Sequence, residues 1–139
     1  MIDMAYEVCR RAPSVDEYLR LRAAAGLSPF SGDAAAKGLA GTVFAVVIQH
    51  GNVAVGMGRL IGDGGCFFQI VDIAVDPSCQ GRGLGKAIMH ELMTFVTDQL
   101  PDCAYVSLIA DVPANRLYEK FGFAETAPRS LGMARRAGR

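Results

Sequence analysis

Residues 75–86 read Val-Asp-Pro-Ser-Cys-Gln-Gly-Arg-Gly-Leu-Gly-Lys, and no other segment restricts the fold as sharply. They follow a strongly apolar run at 66–75, turn at Pro77, pass three glycines and enter a stretch of helical period. In that stretch Leu84, Ile88, Leu92, Phe95, Val96 and Leu100 fall on one face, which predicts a helix from Gly83 to about Leu100. The first N–H groups of a helix have no internal acceptor, and the helix dipole makes that end partly positive. Glycines let the backbone take φ > 0 and approach a ligand closely. The combination favours a phosphate or pyrophosphate, with Arg82 and Lys86 adding charge.

Spacing separates the rival phosphate loops. A Walker A loop needs glycine where Gln80 stands and serine or threonine where Ala87 stands. A G-x-G-x-x-G fingerprint begun at Gly81 ends on Lys86, and begun at Gly83 it ends on Ile88. Both patterns fail. Two readings remain, a Q-x-x-G-x-G cradle over Gln80, Gly83 and Gly85, or a tight strand-to-helix turn without a ligand.

The rest of the chain supplies a mixed sheet with helices. A short apolar start at 6–9 is followed by Ser14 with Asp16 and Glu17, an N-cap with an acidic first turn. The helix it opens runs through Tyr18, Leu19 and Leu21 to Gly26, and a weaker helix follows at 33–39. Strands are expected at 42–49, 53–61 and 66–75, joined by a turn at 50–52 and another at 62–65. The third is almost wholly apolar, as a central strand covered on both faces would be. A short strand at 105–109, a helix at 113–121 stopped by Gly122, and a last strand at 131–135 complete the order. The expectation is an α/β fold, a mixed sheet in one layer flanked by helices.

Length and composition set the boundaries. A chain of 139 residues, 51% apolar, makes one compact domain with a real core, expected over 1–139. A formal net charge of +0 argues against a nucleic-acid surface, and Arg135, Arg136 and Arg139 read as a solvated end. Residues 1–10 lack the basic and apolar regions of a signal peptide, and the apolar runs are far short of the ~20 residues that cross a bilayer. Cys9, Cys66, Cys79 and Cys103 form no C-x-x-C pair, and with only His50 and His90 no zinc spacing arises. The expectation is a cytoplasmic protein with reduced thiols, no metal and no membrane association. His50 in its turn and His90 on the helix read as solvent-facing, and the cysteines as structural, since no His–Asp support stands beside them.

The string Gln80-Gly-Arg-Gly-Leu-Gly85 after Ile73-Ala-Val-Asp-Pro77 resembles the acetyl-CoA signature of the GCN5-related N-acetyltransferases (GNAT). Ala114-Asn-Arg-Leu-Tyr118-Glu-Lys-Phe-Gly122-Phe123 resembles the second half of that pattern. Gly56-Met-Gly-Arg, Val71-Asp72 and Gly132-Met133 resemble the small-amine, arylalkylamine-type branch. The resemblance implies a single GNAT-like domain, its central, mostly antiparallel sheet carrying a splayed parallel pair with helices on both faces, and acetyl-CoA as co-substrate. Backbone N–H groups of Gln80, Gly81, Arg82, Gly83, Leu84 and Gly85, with Lys86 adjoining, would hold its pyrophosphate. Ile73, Ala74 and Val75 would pair with the pantetheine arm like another strand, while the strand at 105–109 splays away. It also implies a homodimer, since family members often pair through edge strands.

Amide formation needs a neutral amine, a stabilised oxyanion and a proton for the departing thiolate. The resemblance puts a backbone N–H near Val75 at the oxyanion and makes Tyr118 the general acid; a phenol of pKa about 10 carries its proton at neutral pH. Asp72 is the one charge inside the apolar run 67–75, and strict alternation would put it on the face of Phe68, Ile70 and Ala74. A carboxylate there is costly unless paired, and Arg59 on the neighbouring strand is the partner within reach. Asp72 therefore either binds or deprotonates the acceptor ammonium, or is an ion-pair member. Asp111 stands seven residues before Tyr118, where many family members carry a cofactor-binding asparagine, whereas Asn115 stands three before. Asp111 either replaces that asparagine or caps the helix, and Asn115 is the alternative contact.

Three functions fit these residues. The first is direct transfer of acetyl, in a ternary complex, to a small primary amine held by the segment 21–39, including Phe30. The second is acetylation of a protein lysine or N-terminus, for which an acidic groove is wanted; Asp33 is the only acid between Gly26 and Gly62. The third is a catalytically silent CoA-binding sensor.

Overall fold

The structure, a computed structural model, describes residues 2–138. The chain divides after Leu108 into two compact units. The first contains strands β1 (Tyr6–Cys9), β2 (Phe44–His50), β3 (Val53–Gly62), β4 (Phe67–Val75) and β5 (Tyr105–Leu108), with helices α1 (Val15–Ala24), α2 (Gly32–Ala40) and α3 (Leu84–Gln99). The strands lie side by side in chain order, antiparallel except for the parallel pair β4–β5. The α/β mixed sheet expected from the periodicities is therefore present.

Local chemistry starts α1 and α2 close to where the sequence predicts. The Ser14 hydroxyl accepts from the Glu17 N–H at 3.1 Å, and Glu17 Oε1 accepts from the Ser14 N–H at 2.8 Å, a reciprocal capping box. The Ser31 hydroxyl accepts from the Ala34 N–H at 3.1 Å and starts α2 at Gly32. α3 has no side-chain cap; its N-cap is Gly83, at φ 80°.

The helices cover opposite faces of the sheet. Tyr18 and Leu21 of α1 and Ala35 of α2 pack on Val47, Ala54, Met57 and Ala74. On the other face α3 buries Leu84, Ile88, Met89 and Leu92. It lies so close to β3 that a Cβ at Gly58 would meet Ile88 Cγ2 at 2.5 Å, Ile73 Cδ1 at 2.7 Å and Leu92 Cδ1 at 3.1 Å. Fully burying side chains such as Leu21, Ile88 and Leu92 contributes about 1.5–3 kcal/mol each.

The structure corrects four expectations. Pairing of β3 with β4 slips by one residue: Met57 lies opposite Ala74 and Arg59 opposite Val71, so Asp72 and Ile73 together face Gly58. This β-bulge reverses the alternation. Ile70, opposite Leu60, and Phe68 stay on the α3 face, whereas Asp72 and Ala74 turn to the α1 face, so Asp72 does not share a face with Phe68 and Ile70. His50 is not a turn residue but the last residue of β2, exposed and beside the Tyr6 ring at 5.1 Å. Residues 131–135 form no strand; Leu131 and Met133 are 72% and 90% exposed, and without a buried face the segment gains nothing from pleating.

The second unit carries one short helix, α4 (Asn115–Glu119), with Tyr118 buried on it. The fourth correction is at its start. Its N-cap is Ala114, and the Asp111 side chain makes no cap; only the Asp111 backbone carbonyl takes part, accepting from the Ala114 N–H at 2.7 Å. Gly122, at φ 90°, ends the turn after α4 in the left-handed region expected of a C-terminal stop.

Candidate active site

The junction of β4 and α3 is built by short-range bonds. Asp76 accepts from the Ser78 N–H at 2.9 Å and the Ser78 hydroxyl at 2.7 Å, closing a single 3₁₀ turn, Pro77–Cys79. Those two bonds hold the Asp76 carboxyl below its usual pKa. Gln80 Nε2 donates back to the Val75 carbonyl at 3.3 Å. Gly81 and Gly83 then take φ 78° and 80°, with nothing within 4 Å of where a Cβ would stand. Among the described residues, the N–H groups of Gly81 through Lys86 donate to no acceptor, and the loop from Gln80 to Gly83 is exposed. A row of free N–H groups, a 16-residue helix dipole and two basic side chains is an anion cradle.

The strand that feeds the cradle has a free edge. β4 pairs with β5 only from Phe67 to Ile70, opposite Tyr105 to Leu108. Residues 71–75 therefore have no strand partner on that side among the described residues, and an extended ligand arm can add there.

Within that stretch stands Asp72, its backbone at φ 62° and its side chain on the α1 face of the sheet. Arg59 Nη1 donates to its Oδ2 at 2.7 Å, Arg22 Nη1 donates to its Oδ1, and the Tyr18 hydroxyl reaches both oxygens at 3.0 Å. The pairs are nearly dry, with side-chain exposures of 10% for Arg22, 6% for Arg59 and 4% for Asp72. Each arginine is tied further. Arg22 donates to the Ser28 carbonyl through Nε and Nη2 at 3.1 and 2.7 Å, and its guanidinium lies 4.6 Å from the Phe30 ring centroid. Arg59 donates to the Gly38 carbonyl at 2.8 Å and the Thr42 hydroxyl at 3.1 Å. Burial, followed by the charge of Asp72, pushes the Tyr18 phenol above its ordinary pKa. Arg59 was legible as the partner of Asp72. Tyr18 and Arg22 were not, although their i, i+4 spacing beside Leu21 was a signal.

In the second unit, burial raises the Tyr118 pKa, with the nearby charge of Asp111 adding to it, so this phenol is protonated at neutral pH. Asp111 is exposed. Asn115 donates through Nδ2 to Glu119 at 3.3 Å, and its Oδ1 is buried with no hydrogen-bond partner among the described residues. The structure thus gathers Ile73 to Lys86 and Asp72 around one strand end, and Asp111, Asn115 and Tyr118 around one short helix.

The model of the Acetyltransferase (GNAT) family matches residues 7–123. The chain belongs to the GNAT acetyltransferase family. A probable acetyltransferase of unknown function from methicillin-resistant Staphylococcus aureus is 46% identical, with a TM-score of 0.89 over 94% of this chain and 98% of that one. GCN5-related N-acetyltransferase 2 of Arabidopsis thaliana, a chloroplastic protein, is 36% identical over 85 residues, 61% of this chain and 32% of the relative. Serotonin N-acetyltransferase 2 of Oryza sativa subsp. japonica, also chloroplastic, is 34% identical over 80 residues, 58% of this chain and 39% of the relative. The match to this GNAT chain spans only about a third of the length of those two curated relatives. Among the described residues no helix is long and apolar enough to cross a membrane.

Proposed function

We propose that the chain, acting as one domain over residues 1–139, transfers acetyl from acetyl-CoA to a primary amine of a small molecule. The observation that carries the reading is the row of unpaired N–H groups at 81–86 directly beyond the free edge of β4. Gly81 to Lys86 hold the pyrophosphate, the expected Gln80 N–H being taken instead by the Pro77 carbonyl at 3.4 Å, and the backbone of Ile73, Ala74 and Val75 orients the pantetheine arm. The orphaned Asn115 Oδ1 fits an N–H of the same ligand, which favours Asn115 over the exposed Asp111 as the second-half contact. Acetyl-CoA supplies the thioester. The N–H near Val75 stabilises the oxyanion, and Tyr118, kept protonated by burial, gives its proton to the leaving sulfur.

The acceptor side is assigned to the segment 21–39, from the second half of α1 through α2, where Phe30 is 41% exposed and Asp33 is the one acid. This composition favours a neutral or aromatic amine, and the likeness to a serotonin N-acetyltransferase over 58% of this chain supports a small acceptor. A screen of thiol release over arylalkylamines, polyamines and lysine peptides tests it. Release with a small amine and none with peptides is the expected result; the reverse reassigns the acceptor to protein. CoA binding without release for any amine leaves a sensor. Tyr118→Phe is expected to lower kcat about a hundredfold with CoA affinity kept, and unchanged turnover removes the acid role.

A further inference from the structure

Asp72 combines three features that one role explains. It is a non-glycine residue at φ 62° inside a strand, a conformation that persists only where the surroundings enforce it. It stands at the bulge immediately before Ile73, so its backbone sets the direction in which Ile73, Ala74 and Val75 leave the β4–β5 pairing. Finally, donors from α1 and β3 converge on its carboxylate: Tyr18, Arg22 and Arg59. The same two guanidiniums hold the α1–α2 loop at Ser28 and the end of α2 at Gly38.

We propose that Tyr18, Arg22, Arg59 and Asp72 form a clamp that fixes the β4 bulge, making Asp72 a positioning residue for the cofactor edge instead of the base that deprotonates the amine. The clamp ties the acceptor-side helices to the strand that lies along the acyl donor. Both carboxylate oxygens already accept from N–H and O–H donors, and two of those donors are guanidiniums that balance the charge an ammonium would need. Removing the clamp lets the bulge relax, and Ile73 to Val75 no longer present their backbone groups in register. The inference rests on the assignment of that edge to acetyl-CoA.

The test uses the full chain with Asp72→Asn, which tolerates φ > 0 but loses the charge, and Asp72→Gly, which accepts the backbone conformation with no clamp. Amide hydrogen exchange at residues 73–75 of the free protein, calorimetric CoA binding, and the pH profile of thiol release are measured on each. Expected are faster exchange at 73–75, CoA affinity about tenfold weaker in both variants, a raised KM for acetyl-CoA, and a kcat pH profile that keeps its shape. Unchanged exchange and affinity with a lost acidic limb of the profile would make Asp72 the base and overturn the clamp. Wild-type affinity and exchange in Asp72→Gly would show that the backbone conformation alone suffices, which also overturns it. If the Asp72 variants do not fold, Arg22→Lys and Tyr18→Phe serve, with faster exchange expected and unchanged exchange in both overturning the proposal. A wild type that binds CoA without turnover, or does not bind it, sinks the acetyltransferase reading, while the exchange data still judge the clamp.

Discussion

Arg59 Nη1 and Asp72 Oδ2 meet at 2.7 Å between two adjacent strands, with side chains only 6% and 4% exposed. A pair this dry gains little net energy by existing, because both ions lose their hydration, yet losing one partner strands a charge. Arg59→Met is therefore expected to cost about 3 kcal/mol or more in urea unfolding. A loss under about 1 kcal/mol, the range of an exposed pair, would show that water reaches Asp72.

Gly58 lies where α3 presses on β3, and an added Cβ would come within 2.5 Å of Ile88 and 2.7 Å of Ile73. Gly58→Ala is expected to destabilise the fold by about 1–3 kcal/mol through overpacking. Ile73→Val in the same chain should recover part of the loss, since it removes Cδ1, the atom that the new methyl would meet at 2.7 Å. A neutral Gly58→Ala melting curve would mean that the helix and strand are less tightly apposed.

Gly83 caps α3 at φ 80°, in the left-handed region that a branched side chain seldom adopts. Gly83→Val is expected to weaken CoA binding more than tenfold, by straining the turn that aims the free N–H groups. Gly65, in the β3–β4 turn and without neighbours around a Cβ, is the control: Gly65→Ala should leave CoA affinity unchanged. Retained affinity in Gly83→Val would remove the cradle assignment.

Glu17 accepts a two-pronged bond from Arg11, at 2.8 and 3.0 Å, and closes the α1 capping box. Arg11 is the main cause, with Ser14 adding, that lowers its pKa from 4.5 to about 2. A carboxyl with a depressed folded-state pKa contributes stability that is fully present above its unfolded value and lost as pH falls through the folded one. The fold should therefore lose stability between about pH 4.5 and 2, and Glu17→Gln should flatten that part of the curve. An unaltered acid transition in Glu17→Gln would assign it to other carboxylates.

What the sequence made legible was local. The capping box needs only Ser14 and Glu17, three residues apart, and the α3 face needs only a repeat of 3.6. The glycine loop identified itself because Gly81 and Gly83 must visit φ > 0, which short-range sterics decide. The strand hairpin of β2 and β3 followed from composition and a turn, with β2 running over Phe44–His50 where 42–49 was expected.

The surroundings of Asp72 were settled elsewhere. Its charge and its Arg59 partner were visible in the sequence, but its face was not, because one extra residue at a bulge inverts every side chain beyond it and no period announces where it falls. Arg22, fifty residues away in the chain, reaches Asp72 only once α1 is laid on the sheet. The strand at 131–135 failed for the same reason: a strand needs a partner edge and a covered face, and neighbours in the sequence supply neither. Thus residues close in the chain determined the helices, the turns and the anion loop through short-range sterics and hydrogen bonds. Packing between distant elements decided which face Asp72 took, what holds it there, and that β4 keeps a free edge from Val71 to Val75.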